Sequence, residues 1–187
     1  VRDAIDLKRL MMTVILAMVP CLLFGTWNIG HQHFLALGQT ASLSEKLIVG
    51  AIQVIPLIVV SYGVGLGIEF VFAIMRKHPV NEGYLVTGML IPLVMPPDIP
   101  LWQVAVATAF AVVIGKEAFG GTGMNVVNIA LTARAFLYFA YPSQISGEVW
   151  AFLGEGAKTV AGYSGATPLA VAAASTGNVV ADFEQFG

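Results

Sequence analysis

The sequence predicts an all-α integral membrane protein of about five transmembrane helices, some short or discontinuous, and three observations carry that reading. Its 187 residues are 57% hydrophobic and only 11% charged, where a soluble domain carries about 25% charge. Mean hydropathy is +0.82. The apolar residues gather into runs that approach the ~20 residues needed to cross a bilayer, with Gly, Pro and charged residues collected between them.

Residues 10–29 form the first span, which tolerates Pro20 and Gly25 as membrane helices do. The polar loop at 30–46 holds His31 and His33, which on a strand could face one metal; without a third ligand nearby they read as solvated loop histidines. Residues 47–75 make a second, overlong span containing Pro56 and Glu69. Its Gly63, Gly65 and Gly67 fall at every second position, which is not one helix face, so an irregular or closely packed turn is expected there.

Arg76 and Lys77 close that span, and 76–83 is a charged loop. Residues 84–95 are apolar but short, and no helix continues through Pro96-Pro97-Asp98-Ile99-Pro100. Residues 101–115 form a fourth run, ended by Lys116-Glu117 and the cluster Gly120-Gly121-Thr122-Gly123. The fifth, 126–141, contains Arg134 and stops at Pro142. Three such short, broken segments suggest tilted or discontinuous helices around a site. The membrane domain is thus expected at 1–145, with 146–187 as an outer-side loop.

The nine Lys and Arg residues test the orientation. With the N-terminus inside, Arg2, Lys8, Arg9, Arg76, Lys77 and Lys116 fall inside, Lys46 and Lys158 outside, and Arg134 within a span. That inside bias supports the five-helix arrangement and puts Thr167 on the outer side. A net charge of −2 without a basic cluster argues against nucleic acid as a partner. The single Cys21, beside Pro20, can form neither an internal disulfide nor a zinc site and reads as a buried small hydrophobe. The mixed charges of Arg2, Asp3, Asp6, Lys8 and Arg9 are unlike a signal peptide. The absence of an initial Met and the abrupt end at Gly187 suggest a piece of a longer protein.

Glu69 and Arg134 are the charges deepest in apolar segments, where an unpaired charge costs at least about 2.5–3.5 kcal/mol. Either they pair, with each other or through Glu117, or they serve an ion or quinone site. Glu69 lies about 10 Å of helix rise from the inner boundary, within reach of an aqueous ion. Asn125 and Asn128 share one face if their segment is helical, and their amides, donor and acceptor together, suit a flavin edge or a quinone carbonyl as well as helix packing. No Walker lysine-serine pair, complete dinucleotide fingerprint or nucleophile triad accompanies them. Thr167, followed by Pro168 and the run 169–174, reads as a helix N-cap with proline at the first helical position. The same hydroxyl, after the small residues Gly165 and Ala166, could be an accessible attachment point.

Several motifs together resemble one family: Val1-Arg2-Asp3-Ala4-Ile5-Asp6-Leu7-Lys8-Arg9, Asn28-Ile29-Gly30-His31-Gln32, Arg76-Lys77-His78-Pro79-Val80-Asn81-Glu82-Gly83, Lys116-Glu117-Ala118-Phe119-Gly120-Gly121-Thr122-Gly123, Arg134-Ala135-Phe136 and Ser164-Gly165-Ala166-Thr167. The chain resembles the B subunits of sodium-translocating NADH:quinone reductases over nearly its whole length. The related D subunit of the ferredoxin:NAD oxidoreductase (Rnf) complex shares the attachment motif and the Gly-Gly stretch, while Asn28-Ile29-Gly30-His31-Gln32 is more similar to the sodium pump.

The resemblance implies that Thr167 holds FMN through a phosphoester, installed by a flavin transferase on the periplasmic side of a bacterial inner membrane. It implies a non-covalent riboflavin with Asn125 and Asn128 as contacts, a quinone region at Gly65 and Leu66, and a role in ion or quinone handling for Glu69, a possible sodium ligand. Electrons would run from NADH through partner subunits to FMN, riboflavin and quinone as sodium moves outward. The family's fold resembles urea transporters, of which this chain would supply one half. Ala161 stands where the family usually has Asp, Leu66 where it has Gly, and Ile129 where it has Pro. These departures bear on transferase recognition, inhibitor sensitivity and the start of the helix after Asn128. The alternative is half of a solute channel or transporter, in which Thr167 is only a helix cap.

Overall fold

The computed structural model describes residues 7–77, 83–121, 123–147, 149–152 and 167–175. These form helices α1 (Leu7–Ala36), α2 (Leu43–Arg76), α3 (Tyr84–Leu93), α4 (Leu101–Gly115), α5 (Ile129–Ala140) and α6 (Pro168–Ala174), with 3-10 turns at Glu117–Phe119 and Pro142–Gln144. No strand occurs among the described residues. Three helical stretches, Lys8–Ala36, Leu43–Arg76 and Leu101–Phe119, are long and apolar enough to cross a membrane, while Tyr84–Leu93 and Ile129–Ala140 are shorter apolar helices. The chain is therefore a multi-pass helical membrane protein.

The first two helices correct the expected boundaries. α1 continues past the apolar span to Ala36, because nothing between Gly30 and Ala36 breaks a helix, and the chain turns only at Gly38, where φ is 66°. His31 and His33 are consequently helical residues and not loop residues. His31 stacks on Trp27 at 5.0 Å, and His33 on Phe152 at 5.2 Å. Cys21 is exposed on α1, facing the lipid side and not the core.

α2 opens on a capping box in which the Ser42 hydroxyl accepts from the Glu45 N–H while the Glu45 carboxylate accepts from the Ser42 N–H. It closes at Lys77 in the left-handed region, φ 55°. The expected turn at Gly63, Gly65 and Gly67 does not occur, since all three continue the helix. α1 and α2 approach backbone to backbone near their connection. A Cβ at Gly50 would land on the Thr26 carbonyl, so only glycine permits this crossing.

α3 does not begin level with the end of α2. The Tyr84 hydroxyl donates to the Ser61 carbonyl at 2.9 Å and the Tyr62 hydroxyl to the Leu85 carbonyl at 2.6 Å, which sets the start of α3 against the middle of α2. Its other end leads into a turn that, with Gln53, Pro56 and Leu57, lines a cavity of about 270 Å³. α3, the turn and α4 thus form a hairpin packed against α2. Its non-helical turn is covered by protein, with Met95 and Ile99 each 4% exposed. α5 runs back along α4, with Phe110 stacked on Phe136 at 4.7 Å and Trp102 edge-on to Tyr141 at 5.5 Å. The core between these elements is built from Leu57, Ile91, Val104, Ala107, Ala133 and Leu137. Large apolar side chains such as Leu16, Phe24, Ile52, Val59 and Ile74 face outward, as a lipid-covered surface requires.

Candidate functional site

The buried stripe of α2 includes Ser61, Gly65 and Glu69 at successive four-residue steps, so the three share one face. Opposite Glu69 stands the end of α4, where Lys116 donates from Nζ to Glu69 Oε1. Glu69 is 5% exposed, Lys116 3% and Glu117 3%. The neighbouring Glu117 is held by Arg76, whose Nη1 reaches its carboxylate at 3.2 Å and whose Nη2 donates to its carbonyl at 2.6 Å. Two acids and two bases therefore close into one neutral cluster between α2 and the α4 terminus.

This corrects the pairing expected from the sequence. Arg134 takes neither Glu69 nor Glu117; it donates from Nη1 to the Val94 carbonyl at 3.0 Å and lies 4.9 Å over the Trp150 ring. Charge counting places Lys116 at the inner boundary and does not reveal it as a partner. The available signal is its position directly after a 15-residue apolar helix, a helix too short to carry its C-terminal charge clear of the bilayer.

Above the charges, Tyr84 packs its phenol into the space at Gly65 and presents its ring to Lys116, with Nζ 5.9 Å from the centroid. Ser61 Oγ donates to the Gly88 carbonyl at 3.0 Å. Leu66 is partly buried against the core. Gly65, Leu66 and Glu69 are thus brought together on α2, with Tyr84 and Ser61 as members that sequence reasoning did not name. The four-residue spacing from Glu69 back to Ser61 was the available signal.

Asn125 and Asn128 do not share a helix face, because α5 begins only after them. Asn128 is its N-cap and accepts from the Leu131 N–H at 3.2 Å, while Asn125 donates to the Val127 carbonyl at 3.2 Å. The start of α5 is well defined even with Ile129 at its first position, since the Asn128 side chain supplies the cap. Both amides are exposed, beside exposed Phe119, Met124 and Val126. Amides that both donate and accept, near exposed apolar side chains in the sequence, match the mixed character of a planar heteroaromatic ring.

Thr167 is the N-cap of α6, its hydroxyl accepting from the Ala170 N–H at 3.3 Å. The Thr167 N–H donates to the Gly147 carbonyl at 2.9 Å. A Cβ at Gly147 would stand 2.6 Å from the Ala170 Cβ and 3.2 Å from the Thr167 hydroxyl, so the glycine lets the start of α6 pack closely here. Ala161, Ser164, Gly165 and Ala166 lie outside the described residues. Through Gly147 and the Tyr141 to Trp102 contact, Thr167 belongs to the end of the molecule where α4 starts. The Glu69 cluster and the two asparagines lie at the end where α4 stops. The fold therefore separates the threonine from the other site residues along the helix axes.

A family model described as the NQR2, RnfD, RnfE family matches residues 1–186. Among curated proteins, the chain is 47% identical to the B subunit of the Na(+)-translocating NADH-quinone reductase of Ectopseudomonas mendocina, over 92% of this chain and 47% of that protein. The protein of the same name from Azotobacter vinelandii is 46% identical over 93% of this chain and 47% of its own length. That of Yersinia pestis is 44% identical over 90% and 46%. The chain spans about half the length of these relatives.

Proposed function

The chain belongs to the NQR2, RnfD, RnfE family, and we propose that it is the N-terminal part of a membrane flavoprotein subunit in a respiratory sodium pump. That subunit passes electrons toward quinone and couples their passage to outward sodium movement. The observation that carries this reading is a half-buried, helix-capping threonine at one end of the helices and a buried carboxylate at the other.

Thr167 is the FMN anchor, bonded through its hydroxyl oxygen to the cofactor phosphate, and its place as the N-cap of α6 suits a phosphate at that oxygen. Asn125 and Asn128 orient a non-covalent riboflavin by its polar edge, near the exposed apolar side chains of Phe119, Met124 and Val126. Bound flavin supplies the electron-transfer chemistry that no side chain of this fold provides. Gly65 and Leu66 border the quinone region, and Glu69 handles the ion. The partners are the other subunits of the complex, quinone, sodium and a flavin transferase. The setting is the bacterial inner membrane, with the Thr167 loop in 146–187 on the periplasmic side of the membrane domain at 1–145.

Intact mass of the full-length subunit, co-expressed with the transferase, tests the anchor. Addition of one FMN that Thr167→Val removes is expected, and an unmodified mass under these conditions overturns it. The α3 to α4 hairpin also suits half of a solute channel, in which Thr167 only caps α6. Solute uptake into vesicles that needs neither NADH nor quinone would favour that second reading.

A further inference from the structure

We propose that Lys116 is a tethered counter-cation for Glu69: a sodium ion reaches this carboxylate by displacing the Lys116 ammonium, and the lysine thereby sets how tightly the site takes the ion. The inference rests on the sodium-pump reading and adds to it the group with which the ion competes.

Charge balance is the first argument. Glu69 and Glu117 face Lys116 and Arg76, so the cluster is neutral as it stands; Glu69, Glu117 and Lys116 are buried in it and Arg76 is its partly exposed member. A sodium ion added to it leaves an uncompensated positive charge in a low-dielectric interior, which is strongly unfavourable. Binding therefore requires one of the two resident cations to leave its carboxylate.

Geometry selects Lys116 as the one that leaves. The Arg76 guanidinium is fixed at two points on Glu117, at 3.2 and 2.6 Å, and lies 5.2 Å over the Phe72 ring. Lys116 makes a single-point bond from a flexible four-carbon stem. Its backbone is anchored, with N–H donating to the Val112 carbonyl at 3.2 Å and its own carbonyl accepting from Gly121 at 3.1 Å, so the movement is confined to the side chain. On the carboxylate, the lysine bonds through Oε1 alone.

Sodium dependence of quinone reduction in the complete reductase, carrying the full-length subunit, tests the proposal. Lys116→Met lowers the half-saturating sodium concentration at least tenfold, because the competing cation is gone. Lys116→Arg, which keeps the charge and adds a fork, raises it several-fold. In the Glu69→Gln background, Lys116→Met has no further effect on sodium. Flavin content of each purified complex establishes assembly, and Lys116→Arg supplies the measurement should Lys116→Met fail to assemble. Unchanged half-saturation in the lysine variants, with Glu69→Gln still shifting it, overturns the counter-cation and leaves the sodium reading of Glu69 standing. Unchanged sodium dependence in Glu69→Gln removes that reading and this one with it.

Discussion

The Tyr84 phenol occupies the space that a side chain at Gly65 would fill: a Cβ built on Gly65 falls on the Tyr84 hydroxyl and its ring carbon. The contact lets the same hydroxyl donate to the Ser61 carbonyl at 2.9 Å, one turn earlier on α2. Absence of a side chain at one residue and presence of a ring at the other thus fix the register of α3 against α2. That register decides where the hairpin sits and how deep Lys116 returns.

Gly65→Ala is accordingly expected to destabilise the protein by about 1–3 kcal/mol through overpacking. Tyr84→Ala alone removes packing, but combined with Gly65→Ala it relieves the clash. The double variant should therefore be markedly less destabilised than the sum of the singles. Thermal unfolding in detergent measures all three, and simple additivity would show that the two positions do not interlock.

The seam between α1 and α2 gives a second test. Gly50 meets the Thr26 carbonyl directly, with backbone on both sides, so no flexible side chain can yield. Gly50→Val should separate the helices near their connection and lower the melting temperature more than Gly67→Val, since a Cβ at Gly67 meets nothing within 4 Å. Equal losses at the two positions would refute a close approach here.

Much of this architecture was legible because proline and charge punctuate it. Pro96, Pro97 and Pro100 set off α3 from α4, and Lys116 marks where α4 ends. α1 outran its expected end because polarity at His31 and His33 does not stop a helix, which needs a breaker such as Gly38. Gly63, Gly65 and Gly67 looked like a turn because spacing alone carries no information about the neighbour that one of them admits. In the interior of a membrane protein, a glycine that receives another helix's side chain stays helical. The pairing of Glu69 was only half legible: the place of Lys116 directly after a short apolar helix marked a charge in need of a partner, but not which partner it takes. The pairing depends on α4 returning past the middle of α2, a tertiary relationship between positions far apart in sequence.

Asn128 combines a structural and a proposed ligand role that substitutions can separate. Asn128→Ala loses the bond from the Leu131 N–H and should weaken α5 by about 1 kcal/mol. Asn128→Asp keeps an acceptor for that bond and should preserve stability while losing the amide donor. If the amide orients riboflavin, the Asp variant melts like the parent yet purifies with less non-covalent flavin. A full flavin complement in that variant would confine Asn128 to its capping role.

Arg134 serves the turn after α3 and not the Glu69 cluster. Its Nη1 reaches the Val94 carbonyl at 3.0 Å, just past the end of α3, where no further helical turn supplies a donor. The Trp150 ring lies 4.9 Å from the guanidinium carbon, a cation–π contact. Arg134→Ala leaves that carbonyl unpaired and should cost about 1–3 kcal/mol, whereas Arg134→Lys can keep the hydrogen bond but not the guanidinium contact and should fall between. Because Arg134 shares no partner with Glu69, Arg134→Ala and Glu69→Gln should add to within about 0.5 kcal/mol in thermal unfolding. Arg134→Ala should also leave half-saturating sodium unchanged in the assembled reductase. A coupling well beyond that margin would restore the direct Glu69 to Arg134 pairing that the sequence alone suggested, and would contradict the assignment of Lys116 as the partner.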